Sequence, residues 1–473
     1  MKSFIKTYII GILYISILAS CGSLVEGLNE NPNSPTSSPY NFVLTGAEVG
    51  AIMLHEGETA RKANIFSGHL EGIDRQHLGF SEYIVSSGDF DSQWDDAYVH
   101  AIRNALVAEE LAIEEGREGI ATGISKVLQA LSFGTTTSLY GDIPFDEAGF
   151  IEFENPAFNA QADVYGKLQT LLDDAIIELQ SGEGRLVSNT DFYFEGDANP
   201  WIEVAYTLKA RYHLHTGNYT EAYQAATNGI SSNDNSMLVP HVQAQPGSNL
   251  YNQFFAVARP NDIKISDFFE GMMNPSSGDY RGNAKTDETA RYNNYFRTNN
   301  SGVTVNTNNN GYMAAAAPFP LVSFAENLLI LAETGLRSND FNTGLSHLNE
   351  FRTFMRSGGY LYNVDETSNG LLYDDYVAND FQSGGIANTD NISQDDALLK
   401  EILEERYITL FGQIESFSDT RRTYDEQNVR VQVPPNTGNE LPQRFLYPQS
   451  EIDRNDNTPS PIPDFFEKTP INQ

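Results

Sequence analysis

Apolar residues recur along this chain at the spacing of one face of an α-helix, and sustained period-two alternation is nearly absent. Val164, Leu168, Leu171, Leu172, Ala175, Ile176 and Leu179 fall at i, i+4, i+7, i+8, i+11, i+12 and i+15. That places them in one stripe and predicts an amphipathic helix. The same spacing recurs at Tyr98, Ala101, Ile102 and Ala105; at Trp201, Val204, Ala205, Leu208 and Tyr212; and at Leu399, Ile402, Leu403, Tyr407 and Leu410. Apolar residues make up 40% of the 473 positions, enough for a sizeable core despite the charge described below.

Two stretches predict paired helices. In the first, the helix over 201 to 215 stops at Thr216-Gly217-Asn218 and is followed by Tyr219, Ala222, Tyr223, Ala226 and Ile230. In the second, a helix carrying Phe324, Leu328 and Leu331 is followed, after Ser338-Asn339-Asp340, by Phe341, Leu345, Leu348 and Met355. Both resemble tetratricopeptide units, although helical hairpins of any kind produce much of this pattern. Residues 230–320 are rich in Asn, Ser, Gly and aromatics, with eight asparagines between 293 and 310. A second loop-rich region spans about 357–393, and the last fifty residues carry many prolines. The expected fold is all-α: a single tetratricopeptide-like scaffold of helical hairpins over 40–473, with long irregular loops where binding residues tend to sit.

The N-terminus has a different character. Lys2 and Lys6 precede an apolar run from Tyr8 to Ala19, the pattern of a secretory signal over 1–20 and too short to span a bilayer. It ends in Leu18-Ala19-Ser20-Cys21, which resembles a bacterial lipobox with Cys21 as the lipidated first residue of the mature chain. Acylation would fix a protein without a spanning helix to a membrane. The alternative is an ordinary secreted protein with an incidental cysteine, against which stands the placement of the only cysteine in the chain. Residues 21–39, dominated by Asn, Pro and Ser, read as a tether. One cysteine also excludes internal disulfides and Cys-based zinc sites.

Sixty-four Asp and Glu face 29 Lys and Arg, a net charge of −35. Nucleic-acid binding depends on cations that neutralise phosphates, and no basic patch exists to supply them. Catalytic and metal motifs are weak. His55-Glu56 begins like a zincin motif, but Thr59 stands where the second histidine belongs. His213 and His215 point about 200° apart on a helix. Asp453, Asn455, Asn457 and Asp464 match four EF-hand ligand positions, but Thr458 replaces the turn glycine. No metal or cofactor is expected. A glycosidase needs only two well-placed carboxylates, and the acid content leaves that open.

An ordered series of motifs resembles the SusD/RagB family of outer-membrane lipoproteins of Bacteroidetes, in its SusD-like branch. It runs from the lipobox and Asn31-Pro32-Asn33-Ser34-Pro35 to Trp94-Asp95-Asp96-Ala97-Tyr98, then Tyr140-Gly141-Asp142-Ile143-Pro144-Phe145. It continues with Leu208-Lys209-Ala210-Arg211-Tyr212, with Ala325-Glu326-Asn327-Leu328, and with Ile402-Leu403-Glu404-Glu405-Arg406 through Asp419-Thr420-Arg421-Arg422. Asp279-Tyr280-Arg281 departs from the DPR of many branch members, and Glu26 alone supplies early acidity after Cys21. The resemblance implies a non-catalytic, outward-facing lipoprotein that binds an oligosaccharide or peptide and hands it to a SusC-type TonB-dependent transporter.

Sugar binding calls for aromatic faces and for amide, carboxylate or guanidinium partners to hydroxyls. The loop-rich segments offer Phe80, Tyr83 and Asp89, then Tyr280, Arg281, Arg291, Tyr292, Tyr295, Phe296 and Asn300, with Asn293, Asn294 and Tyr312 beside them. Each has a loop-anchoring alternative. For Trp94, core packing is favoured over sugar stacking. Arg211, Arg406, Arg421 and Arg422 are expected to bond carboxylates or helix ends. A strongly acidic surface favours a neutral glycan over a polyanion. If the lipobox reading holds, Cys21→Ser moves the protein from the membrane pellet to the soluble fraction and abolishes palmitate labelling; retention in the pellet would refute it.

Overall fold

The computed structural model describes residues 38–149, 153–186, 189–359, 361–362 and 371–473. The signal segment, Cys21 and nearly all of the tether lie outside these residues. No helix among the described residues is long and apolar enough to cross a membrane.

Helices pack in chain order. Tyr40–Glu56 lies against a π-helical turn, Asp96–Ile102, and its continuation Arg103–Glu114. Ile120–Tyr140 follows, then Gln161–Ser181, Ala198–His215, Tyr219–Ala226, Phe324–Ser338 and Phe341–Arg356, each against its predecessor. The result is an array of antiparallel hairpins of tetratricopeptide type. Gln394–Thr409 then packs on the last pair, and Glu415–Arg422 returns to the N-terminal half.

The predicted stripe explains Gln161–Ser181 closely: Val164, Leu168, Leu172, Ala175, Ile176 and Leu179 are all buried. Ile120–Tyr140 is instead buried on nearly every side, because helices flank it on both sides. Close approach there depends on glycine: a Cβ at Gly134 would sit 2.2 Å from the ring of Tyr212, whose hydroxyl donates to the Ala130 carbonyl at 2.8 Å. Starts and stops follow local chemistry. Ser323, Asp340 and Ser393 cap their helices by accepting the backbone N–H of Glu326, Thr343 and Asp396.

Two expectations need correction. The second helix of the first pair ends at Ala226 rather than reaching Ile230, whose N–H is taken by Thr207 Oγ1 at 2.9 Å. Part of the asparagine-rich run is also regular: Phe296–Asn299 and Gly302–Val305 form a hairpin. Other short ribbons pair Leu70–Gly72 with Ile263–Ile265 and Met237–Val239 with Phe319–Val322. Trp94 packs in the core against Tyr98, Tyr140, Phe158 and Tyr447, as favoured above. In the following loop Gly141 takes φ +92°, and Asp142 accepts the Gln161 N–H at 2.8 Å.

The arginines hold the array together. Arg211 donates twice to Glu326, at 2.7 and 2.6 Å. Arg422 grips Glu333 with two bonds of 2.6 and 2.7 Å, and Arg406 grips Asp419 at 2.8 and 3.1 Å. Arg421 donates to the Ser138 carbonyl at 2.7 Å. A second group joins Arg281 and Arg291 to Glu288, Glu401 and Glu405. Burial pushes Glu288 and Glu333 up, but the facing guanidiniums outweigh it and hold both down to about 2.

Removing one partner of such a pair strands a buried charge. Arg422→Ala is expected to cost about 3–5 kcal/mol of unfolding free energy, read from urea titration. Because the folded carboxyls titrate below their unfolded value, their contribution is complete above about pH 4.5 and fades as pH falls toward 2. Wild type should therefore lose stability through that window, and Arg422→Ala should lose less; parallel profiles would refute the assignment.

Candidate ligand cleft

A cleft of about 730 Å³ opens between three loops, within the range of small-molecule sites. One wall is Gly278–Asn283, which follows the short helix Asp267–Met273. The second is the 386–392 loop and the first turns of Gln394–Thr409. The third is the 430–434 segment. These walls are far apart in sequence, and the helical array brings them together.

The cleft offers an apolar floor of Phe268 and Met272, the ring of Tyr280, and the amides of Asn283, Asn388 and Gln432. Its charged lining is Arg281, Lys400 and Arg430 against Asp279, Asp390, Glu401 and Glu404. Most of these charges are already engaged. Lys400 pairs with Asp390, and Arg281 Nη2 donates to Glu401 at 2.7 Å. Tyr376 also donates to Glu401 Oε1, at 3.2 Å. Burial raises Glu404 against the pull of Arg281, with the charge of Glu401 adding to the rise. For Arg281 itself burial acts downward, and Glu401, Glu405 and Glu288 more than reverse it, so the guanidinium stays charged.

The residues singled out in sequence separate into four places. Tyr280 and Arg281 line the cleft. Tyr280 replaces the proline of the DPR pattern, with its ring over Gly282 and its hydroxyl accepting the Glu288 N–H at 2.8 Å. Arg281 faces the cleft only in part, since its side chain is 4% exposed.

Arg291 lies behind it, fully enclosed between Glu288 and Glu405 at 2.7 and 3.0 Å. Tyr295 and Phe296 are also buried, with the Tyr295 ring packed at a tilt against Tyr312 and Phe411. Asn294 and Tyr312 are enclosed with them. Tyr292 is half-buried and donates to Glu270 at 2.9 Å; burial and that carboxylate raise it to about 12. These side chains support the wall, and burial keeps Arg291, Tyr295 and Phe296 from a ligand in this conformation.

The third place is the 74–90 segment. Phe80 is buried beneath Lys62, whose Nζ stands 4.7 Å from the ring centre. Asp89 accepts both the N–H and the hydroxyl of Ser86 at 2.8 Å, a turn-stabilising role. Tyr83, in a left-handed conformation at φ +57°, accepts the N–H of Asn436, two residues beyond the cleft residue Pro434. It steadies the third wall from behind. The fourth place is the exposed tip of the 296–305 hairpin, where Asn300 sits. Neighbouring Ser301 donates to Asn261, tying the tip to the turn that precedes the strand Ile263–Ile265.

The motif histidines have structural partners. His55 contacts the Ala51 carbonyl and Thr135, and His215 contacts Glu415 at 2.9 Å. Asn455 and Asn457 hold the carbonyls of Pro156 and Asn155. The sequence pattern missed Lys400, Asn388, Arg430 and Gln432. The loop-rich composition of 357–393 flagged the neighbourhood of Asn388, but the polar face of Gln394–Thr409 looks like any solvated helix face.

The described residues form a tetratricopeptide-like array of helical hairpins that carries a loop-walled cleft. The SusD-like family model, described as "Starch-binding associating with outer membrane", matches residues 32–448, and the chain belongs to this family. No curated protein matches the sequence. Among solved structures, a chitin-binding protein superposes with a TM-score of 0.68 at 17% identity, covering 88% of this chain and 94% of its own. A chitin-binding SusD homologue from Flavobacterium johnsoniae gives 0.64 at 18%, covering 92% and 97%. A SusD homologue from Bacteroides fragilis gives 0.67 at 18%, covering 92% and 100%. At these identities the likeness establishes the fold.

Proposed function

We propose that this protein is a lipid-anchored, outward-facing outer-membrane lipoprotein. It binds a neutral oligosaccharide in the cleft and delivers it, unhydrolysed, to a SusC-type TonB-dependent transporter. The family's description supports outer-membrane association and glycan binding, and two structural neighbours are named as chitin-binding.

The observation that carries the neutral cargo is the cleft's charge balance. In a chain of net charge −35, three cations face four carboxylates there, and the closest of them neutralise one another. Neither a polyanion nor a polycation finds a field to hold it. Hydroxyls find amide groups and partly engaged ions, and a pyranose face finds Tyr280 and Phe268. Glu401 is held by Arg281 and Tyr376, an arrangement suited to fixed hydrogen bonding rather than to a glycosidase acid or nucleophile.

Calorimetry of the mature protein against neutral oligosaccharides is expected to show saturable binding with no product by chromatography. Tyr280→Ala should weaken it about two- to twelvefold, the loss of one stacking face at roughly 0.5–1.5 kcal/mol. Turnover of the bound glycan, or tight binding of peptides in place of glycans, would overturn the reading.

A further inference from the structure

Two buried carboxyl groups meet on the first helix, far from the cleft and without a cation. Glu48, midway along Tyr40–Glu56, is 0% exposed, and Asp191 is 1% exposed. Asp191 accepts the N–H groups of Tyr193, Phe194 and Gly196 at 2.8, 3.3 and 2.9 Å, and the indole N–H of Trp201 at 2.8 Å. With four donors aimed at it, this carboxylate acts as an acceptor. Glu48 is the opposite case. Its Oε2 receives the Phe192 N–H at a long 3.4 Å, and no donor reaches its enclosed Oε1. Its remaining polar contact is a hydrogen bond with the Asp191 side chain, and a bond between two carboxyls needs a proton. Since Asp191 is the acceptor, that proton belongs to Glu48. Burial and the Asp191 charge accordingly push the Glu48 carboxyl well above the ordinary carboxylate range.

The contact joins two parts of the fold. Residues 190–197 run as a strap from the first helix to Asp197, which caps Ala198–His215 by accepting the Asn199 N–H. Besides the carboxyl pair, the strap is held to the first helix by the Phe192 bond and by Thr45, whose hydroxyl donates to the Thr190 carbonyl at 3.0 Å. The other titratable groups around Glu48 are Tyr193 on the strap and Tyr40 on its own helix, both kept neutral by burial. Charged side chains on the neighbouring helices have partners of their own. Lys126 pairs with Glu109 and Glu178, Glu58 pairs with Lys62, and Glu56 is held by His241 and the Leu250 N–H.

We propose that Glu48 and Asp191 share one proton and form a proton-dependent clasp, which holds the 190–197 strap on the first helix and opens as pH rises. Loss of the proton would leave two buried carboxylates in contact, with no cation to offset their repulsion. Below about pH 4.5 the unfolded chain carries the same proton, so the pair costs nothing there. Above that, folding retains a proton that the unfolded chain releases, and stability falls with rising pH until Glu48 ionises. This is the reverse of the slope that Glu288 and Glu333 impose in acid.

The test is thermal melting and hydrogen–deuterium exchange of the mature protein and of Glu48→Gln between about pH 4 and about pH 9. Glutamine keeps the side-chain shape and offers Asp191 a permanent N–H, so the clasp stays shut at every pH. The variant should melt with wild type at the acid end and above it at the alkaline end. At the alkaline end its strap should also exchange more slowly than that of wild type, while Gln161–Ser181 exchanges alike in both. A variant that melts at or below wild type throughout, or equal strap exchange in the two proteins at the alkaline end, would overturn the proposal. So would calcium that stabilised wild type and not the variant, since a metal would then be the counter-ion in place of the proton. If Glu48→Gln fails to fold, wild type decides: strap exchange must accelerate with pH beyond that of Gln161–Ser181, and equal acceleration refutes the clasp.

Discussion

The buried pairing of arginine with carboxylate on and around Gln394–Thr409 is the constraint on which the rest of the structure depends. Glu405 and Arg406, adjacent in sequence, point to opposite groups. Glu405 meets Arg281 and Arg291, while Arg406 meets Asp419 and, at 3.5 Å, Glu333. One helix thereby ties the 281–291 loop, the Phe324–Ser338 helix and the Glu415–Arg422 helix into one body. Taking these ions out of water is costly, and an apolar core of equal volume would match or exceed their net stabilisation. What an apolar core does not supply is register: a guanidinium accepts two oxygens in one plane and at one spacing, so each pair fixes how its two elements slide.

That register positions the cleft. Lys400 and Glu401 stand about one turn before Glu405, and Glu404 directly precedes it, so a helix locked by the buried pairs presents them at fixed height. Arg281 belongs to both structures at once. Its guanidinium is held by Glu288 and Glu405 on the buried side and by Glu401 and Glu404 toward the cleft. The cleft is accordingly preorganised on two walls, with reduced ordering cost on binding. Its third wall is braced by Tyr83 through one backbone bond and by Arg430 and Gln432, which donate to the carbonyls of Tyr424 and Gln427.

Legibility in the sequence followed the range of the interaction. Helices whose apolar stripe faces one neighbour were readable, as over 161–181, because period and burial coincide. The structural role of Arg211, Arg406, Arg421 and Arg422 was also readable, since a chain so short of cations places few of them idly. The asparagine-rich run was not: its hairpin and its buried Tyr295 depend on Phe411 and Tyr312, partners distant in sequence. The same limit applies to the site. Tyr280 and Arg281 were visible as aromatic and basic residues in a loop. That Arg281 faces the cleft while Arg291 faces away depends on Glu288, Glu401 and Glu405, none of which carries a local mark. Lys400 and Asn388 reach the cleft only through the fold.

The acid excess acquires a specific consequence from this arrangement. Nearly all large buried cations among the described residues are matched by carboxylates or carbonyls inside the array, as with Arg211, Arg291, Arg352 and Arg421. Internal pairing consumes positive charge in a chain that has little, and unpaired acids such as Asp163, Glu221 and Asp234 are exposed. Exposed acids of that sign repel anions at long range and leave attraction to short-range contacts. The cleft's own balanced charges then act as hydrogen-bond partners rather than as a field. Selection among ligands in such a site rests on shape, stacking and hydroxyl geometry, the terms by which neutral sugars differ from one another.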